Sequence, residues 1–288
     1  MSDPLVLRRD AEGLAGPFPA LLAEAQHLAQ TVLVGEHGRR RAGLGDAFWQ
    51  FRPATEVDEA RLIDWRRSAR ADTIFVQDKE WQIAQSVLLW VDQARSMDFA
   101  SVKDGETKAR RARLLALATA VLLNRGGERV GLPGLPPRRG EAQIARIAAL
   151  LSEDDALDYG APQTEGLLPH SRALFLSDFL GDFAAVEQAV TAAADRDVTG
   201  ALVQVLDPAE EAFPYDGRTI FESMGGTLRH ETLKAGELRD RYQARLAERR
   251  AALSDLARAC GWQFHVHRTD QSAASALLWI FGALERRR

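Results

Sequence analysis

The sequence predicts an α/β protein: a doubly wound, mostly parallel sheet with helices on both faces, preceded by a smaller module of short strands. Three observations predict it. From Ser86 onward, apolar runs of strand length alternate with segments of helical period, which implies right-handed crossovers between parallel strands. The runs Val87-Leu-Leu-Trp-Val91 and Ala173-Leu-Phe-Leu176 are apolar at every position, as strands buried on both faces must be. Three of the strand-like runs end at an acid, Asp92 and Asp207 directly and Asp178 after Ser177.

Each element follows from local pattern. Pro19–Val32 reads as a helix, with Leu21, Leu22, Ala25, Leu28 and Ala29 at helical spacing. Gly35 to Gly45 is a glycine-rich basic loop; it lacks Gly-Lys-Ser/Thr, so it is not a P-loop, and a mobile surface loop is the expectation, ahead of an anion-binding one. Phe48–Arg52 and Thr73–Val76 read as short strands. Beyond Ser86, the strand Val87–Val91 is followed by the apolar helix Lys108–Asn124, which Gly126-Gly127 stops. Then come strand Arg129–Leu132, helix Glu141–Leu151, strand Ala173–Leu176, helix Phe183–Ala194 and strand Thr199–Leu206. A long charged helix lies within Leu233–Cys260, then strand Trp262–His267 and helix Ser272–Leu284. The expected division is an N-terminal helix (1–34), a small strand-containing module (35–84) and the α/β domain (85–288). No proline-rich linker separates Glu80 from Ser86, so the small module is expected to pack on the sheet domain.

Composition narrows the function classes. At 288 residues, 46% hydrophobic and 27% charged, the chain matches a soluble globular protein. A net charge of −4 argues against nucleic-acid binding, which favours a basic balance. The single Cys260 cannot form an internal disulfide, which points to a reducing cytoplasm. The N-terminus shows no signal-peptide pattern. The longest apolar runs, Leu114–Leu123 and Ala273–Leu284, fall short of the ~20 residues that span a bilayer.

In an open parallel sheet, ligands gather beyond the carboxyl ends of the strands. Asp92, Ser96, Asp178 and Asp207 fall there. Asp92 and Ser96 could equally hold a turn or cap a helix, and Arg95 could neutralise Asp178. Cys260, His265 and His267 lack a fourth ligand and read as strand residues near the sheet end. Ser223-Met224-Gly225-Gly226 is no nucleophile elbow. No nucleophile–base pair is recognisable, so no catalytic residue is assigned. Arg39–Arg41 and Arg286–Arg288 read as solvated surface.

Two further stretches mix aromatics, arginines and acids without helical separation: Gly43-Leu-Gly-Asp-Ala-Phe-Trp-Gln-Phe-Arg-Pro53 and Arg61-Leu-Ile-Asp-Trp-Arg-Arg-Ser-Ala-Arg70. Ile63 and Trp65 bracket Asp64, with Arg61, Arg66 and Arg70 around it. A half-buried acid must find a partner, and the arginine fork is a natural one. A structural Asp–Arg network under an aromatic lid is the expectation, ahead of a ligand site.

With Arg52 and Asp58, these stretches resemble the signature of the bacterial domain-of-unknown-function 58 family. The likeness continues through Glu80-Trp81, Ser177-Asp178-Phe179, Val205-Leu-Asp-Pro-Ala-Glu210 and Arg268-Thr-Asp270. One departure is Val57, where the family usually has glycine. Asp92-Gln-Ala-Arg-Ser96 is also similar to the Asp-x-Ser-x-Ser motif of von Willebrand factor A domains. The resemblance implies that fold for about residues 85 to 288. It also implies a Mg²⁺ site at Asp92, Ser96 and Asp178. The site is degenerate: Ala94 replaces the middle serine, and Glu141 follows Gly140 where a threonine is expected. Glu141 is the candidate replacement. The resemblance further implies a non-enzymatic adaptor, cytoplasmic, working with a MoxR-type AAA+ ATPase and other von Willebrand factor A-type proteins in assembling or maturing protein complexes. Docking is expected near Asp92, Ser96 and Asp178. Arg52, Asp58, Arg61, Asp64, Trp65, Arg66 and Arg70 would shape or stabilise the interface. The alternative is a divalent-cation-dependent hydrolase or regulatory enzyme using Asp92, Asp178 and Glu141.

Overall fold

A helix that the pattern reading did not anticipate starts the chain in the computed structural model: α1 (Pro4–Ala15). Asp3 caps it by accepting a hydrogen bond from the Leu5 N–H, and Pro4 occupies its first position, where the missing N–H costs nothing. Leu7, Ala11 and Ala15, four residues apart, form its buried stripe. The structure describes residues 3–16, 42–43, 47–54, 63–70, 73–80, 85–102, 105–153, 155–223, 226 and 229–285. The predicted helix Pro19–Val32 lies outside them. The chain forms two compact units, one of Met1–Ala20 with Gln85–Arg288, the other of Leu21–Ala84.

The smaller unit holds β1 (Ala42–Gly43), β2 (Ala47–Pro53) and β3 (Phe75–Glu80), with the one-turn helix α2 (Trp65–Ser68) between β2 and β3. The strands pair antiparallel in the order β1-β3-β2. The ladder between β2 and β3 shifts register between Phe48 and Gln50. β3, expected at Thr73–Val76, instead runs from Phe75 to Glu80.

The larger unit is a layered α/β structure. Its strands are β4 (Ser86–Val91), β5 (Arg129–Leu132), β6 (Leu135–Arg138), β7 (Arg172–Ser177), β8 (Thr199–Leu206) and, after the hairpin β9 (Thr219–Glu222) and β10 (Arg229–Thr232), β11 (Gln263–Arg268). Its further helices are α3 (Lys108–Arg125), α4 (Glu141–Leu150), α5 (Phe183–Ala194), α6 (Pro208–Ala212), α7 (Arg239–Ala259) and α8 (Ala273–Glu285). The six-stranded sheet runs β11-β8-β7-β4-β5-β6. Every pairing is parallel except β5 with β6. β6 carries Pro136 and Pro137, which suit an edge strand because proline donates nothing to the ladder.

Alternation along the strands sends side chains to two apolar faces. Leu88, Trp90, Phe175 and Leu202 pack with Val186 and Val190 of α5, Leu253 of α7 and Trp262. The Trp262 indole N–H is satisfied by the Val198 carbonyl at 3.0 Å. α3 packs against α1, α4 and α8 and against β4, β5, β7 and β8. It buries fourteen of its eighteen residues, Lys108, Arg111 and Arg113 among them, and only the stretch Leu114–Leu123 is apolar almost all round, as a helix covered on every side is. The order of the sheet reverses between β4 and β7, and a crevice for ligands is expected at such a switch point. Among the described residues, no helix is long and apolar enough to cross a membrane.

Candidate functional site

Asp92 follows β4 and Asp178 follows β7, so the two acids flank the switch point. The Asp92 N–H extends the ladder to the Leu176 carbonyl, which holds the acid at the strand end. Asp92 Oδ1 accepts from the Ala94 N–H at 2.9 Å, closing a turn. Asp92 Oδ2 accepts from Ser177 Oγ at 2.6 Å. Ser177 Oγ in turn accepts from the Phe179 N–H at 2.9 Å, and Phe179 takes a positive φ of 51°. This pair stitches the two central strand ends together, 85 residues apart in sequence.

The partner of Asp178 is Lys108, the first residue of α3. Its Nζ donates to Asp178 Oδ2 at 2.8 Å and to Glu210 Oε1 at 2.5 Å. Lys108 and Asp178 are each 1% exposed. The Phe99 ring lies 5.9 Å from the ammonium, within cation–π range. Burial alone would pull the Lys108 pKa down, but the two carboxylates outweigh it and raise it above its ordinary value. The ammonium therefore stays charged across the physiological range. Glu210 is placed by a capping box: Asp207 Oδ1 accepts from the Ala209 N–H, and Glu210 Oε2 accepts from the Asp207 N–H. Asp207 Oδ2 accepts from the Ser101 N–H, and Asp178 Oδ1 from the Leu180 N–H. Both oxygens of Asp92, Asp178, Asp207 and Glu210 thus already accept a hydrogen bond within the protein. Burial raises the Asp92 pKa, and hydrogen bonds from Ser177 and Ala94 oppose that rise.

A strap crosses this edge. The Arg95 and Ser96 N–H groups donate to the Leu157 and Asp158 carbonyls, and the Asp155 N–H to the Gln93 carbonyl. Gly160 lies directly against the Asp92 carboxylate, with no room for a Cβ. Arg95, Leu157 and Tyr159 are exposed on the outside. Beside the strap lies a cavity of about 450 Å³ lined by Trp90, Leu132, Leu151 and Pro162. Asp92, Gln93 and Gln163 also line it, and the Gln93 amide donates to the Leu150 and Glu153 carbonyls.

Several sequence expectations change here. Glu141 belongs to the other end of the sheet. Because β6 runs antiparallel, pairing Arg138 with Val130, the chain returns to the amino edge of β5 before α4 begins. The Gly140 N–H donates to Asn124 near the far end of α3, which at 1.5 Å per residue is about 24 Å from Lys108. The Glu141 side chain is 71% exposed and pairs with Arg8 of α1 at 2.5 Å. The loop that does reach Asp92 is the strap at 155–160. Arg95 is exposed and does not neutralise Asp178; Lys108 does. The side chain of Ser96 caps nothing, and its enclosed Oγ has no hydrogen-bond partner.

The residues present do not fit a divalent ion. Mg²⁺ requires six oxygens in near-octahedral array. Here Ala94 offers none, each carboxylate oxygen is engaged, and an ammonium occupies the space between Asp178 and Glu210. Among the described residues, no cluster of three or more His, Cys, Asp or Glu side chains is placed to hold a metal. His265 stacks on Trp279 at 4.6 Å. His267 is buried and its Nε2 lies 2.8 Å from Arg111 Nη1. Arginine only donates, so Nε2 accepts and the neutral ring carries its proton on Nδ1. Burial, then the Arg111 charge, lowers the His267 pKa to about 4. Arg111 itself clamps α3 to the end of β11 through the Thr269 and Gln271 carbonyls, both at 2.7 Å, while it also pairs locally with Glu106, just before its own helix.

In the smaller unit, Asp64 caps α2: its Oδ1 accepts from the Arg67 N–H at 2.9 Å. Its own N–H donates to the Phe75 carbonyl. Ser68 Oγ donates to the Asp64 carbonyl at 2.7 Å and accepts from the Phe75 N–H at 2.9 Å. The local knot is therefore Asp64–Ser68–Phe75, with Arg67 5.2 Å from the Phe75 ring. Trp65 is no lid, since it is 62% exposed, and Arg66 and Arg70 are exposed. Arg52 pairs with Val76 in the β2–β3 ladder. Asp58 and Arg61 lie outside the described residues.

Residues 50–252 match the model of the family described as protein of unknown function DUF58. An uncharacterized protein of Mycobacterium tuberculosis (strain H37Rv) is 25% identical, with 93% of this chain and 89% of that protein covered. An uncharacterized protein of Mycobacterium bovis matches with the same figures, 25%, 93% and 89%. Among solved structures, the conserved hypothetical protein BatB of Bacteroides thetaiotaomicron is similar with a TM-score of 0.39 and 13% identity, covering 70% of this chain and 98% of its own. An aerotolerance-related membrane protein of Bacteroides fragilis gives a TM-score of 0.41 at 15% identity, with the same 70% and 98% coverage.

Proposed function

Since the chain belongs to the DUF58 family of proteins of unknown function, we propose that it is a non-enzymatic interaction protein built on a von Willebrand factor A-like domain. One observation carries this reading. The acids at the switch point are locked onto an internal ammonium and onto backbone N–H groups, beneath a strap. A catalytic site needs a reactive group exposed to substrate and beside a base. The Ser177–Asp92 pair has hydrogen-bonding geometry, but both residues are buried and Gly160 closes over the carboxylate. The edge is thus a rigid, pre-formed surface. A partner would meet Arg95, Leu157 and Tyr159 of the strap layer, not Asp92, Ser96 and Asp178 themselves. The mostly parallel sheet with acids at its switch point supports the von Willebrand factor A-like reading.

The partner we propose is a MoxR-type AAA+ ATPase, in keeping with the family resemblance, with assembly or maturation of protein complexes as the setting. The test is affinity capture of the tagged protein from its native lysate with ATP and Mg²⁺, beside an Arg95→Glu/Tyr159→Ala variant. Recovery of an AAA+ ATPase, lost in the variant, supports the reading and places the interface on the strap. No ATPase in either sample contradicts it. Equal recovery from both moves the interface off this edge.

A further inference from the structure

Lys108 is an unusual choice for its position. It opens α3, where the helix dipole disfavours a cation. The chain's 37 basic residues include lysine only at 79, 103, 108 and 234, so lysine at this point departs from its usage. An arginine there would bring a planar fork that needs room on both sides, whereas an ammonium is a compact point charge. Around Nζ the carboxylates come from separate elements: Asp178 from the end of β7, 70 residues away, and Glu210 from α6, 102 residues away. Asp92 lies close enough for the Lys108 charge to pull its pKa down against burial. Taking ions out of water is costly unless opposite charge and hydrogen bonds replace the solvent. Three buried or half-buried acids meeting at one edge, Asp92, Asp178 and Glu210, therefore require a cation, and the fold supplies a side chain.

We infer that Lys108 is the resident cation of this edge, attached covalently in the role a divalent ion would otherwise fill. The protein therefore takes no divalent ion at Asp92, Asp178 and Glu210, and removal of the lysine turns the edge into a site for a free cation. This inference stands on the ion cluster alone and is independent of the adaptor reading: failure to capture an ATPase would leave it untouched.

Thermal unfolding tests it. The melting temperature of the wild-type protein should not change with Mg²⁺, Mn²⁺ or EDTA. Lys108→Ala removes the side chain beyond Cβ and should lower it by on the order of 10 °C. n-Propylammonium replaces the missing atoms and charge and should raise the variant's melting temperature in a saturable way. The neutral isostere 1-propanol should not. Stabilisation of the wild type by Mg²⁺ or Mn²⁺, reversed by EDTA, would overturn the inference. So would a Lys108→Ala variant that responds to neither n-propylammonium nor a divalent ion. Should that variant fail to fold, Lys108→Met/Asp178→Asn/Glu210→Gln removes the charges together and should fold, whereas Lys108→Met alone should melt well below it. A Lys108→Met protein as stable as the wild type refutes the assignment.

Discussion

Acidification should weaken this protein through one buried histidine, and the size of the effect follows from its surroundings. His267 is 1% exposed and accepts a hydrogen bond from the Arg111 guanidinium at 2.8 Å. Protonation would abolish that acceptor and place a second cation beside the first, away from water. Burial and Arg111 hold the folded-state pKa at about 4, against 6.5 in an unfolded chain. Between those values the unfolded state binds a proton that the folded state refuses, so stability falls as pH falls. At 1.36 kcal/mol per unit, the full loss is about 3 kcal/mol, complete near pH 4. Other groups titrate in the same window: the raised pKa values of Asp92 and Glu210 act in the opposite direction. The assay is therefore a difference, urea unfolding of wild type and His267→Gln from pH 7 to pH 4. Glutamine keeps an acceptor for Arg111 but cannot titrate. The wild type should lose about 3 kcal/mol more than the variant across that range. Parallel pH dependences would refute the claim that His267 is kept neutral by Arg111.

Other consequences are more local. Asp64→Ala removes the cap of α2 and should destabilise the smaller unit by about 1 kcal/mol, seen as faster amide exchange at Arg67 and Phe75; unchanged exchange would deny the cap its role. Trp65→Ala, at an exposed position, should shift stability by no more than about 0.5 kcal/mol, and a larger loss by calorimetry would mean that Trp65 is covered. Gly160→Ala drives a Cβ into the Asp92 carboxylate and should cost about 1–3 kcal/mol, with exchange rising along 155–160. Ala94→Ser restores a hydroxyl to the turn but leaves the ammonium in place, so calorimetric titration should detect no Mg²⁺ binding; binding would mean that Ala94, not Lys108, excludes the ion.

The sheet was legible because its signals are local. Val87–Val91, Ala173–Leu176 and Thr199–Leu206 are apolar runs ended by polar groups, and the strands end at Val91, Ser177 and Leu206. The two acids at the switch point could be found from that ending alone. The cation between Asp178 and Glu210 could not: Lys108 opens a helix in sequence, and its partners lie 70 and 102 residues on. The available hint was a lysine at a helix N-terminus, unfavourable unless a specific acid waits for it. Glu141 was misplaced because a register of four residues, Leu135–Arg138, decides which edge the chain returns to, and its two prolines hide it as a strand. Asp64 was expected to need an arginine, yet a carboxylate three residues before an N–H of the first helical turn caps its own turn. Ser68, which ties Asp64 to Phe75, carries no sequence signal beyond its spacing.

The most direct test of the account is a crystal structure of the wild-type protein soaked in Mn²⁺, with anomalous scattering recorded at the carboxyl edge of the sheet. The account predicts the Lys108 ammonium between Asp178 and Glu210 and no anomalous peak beside Asp92, Asp178 or Glu210. A manganese ion bound by those carboxylates, with Lys108 displaced, would contradict it.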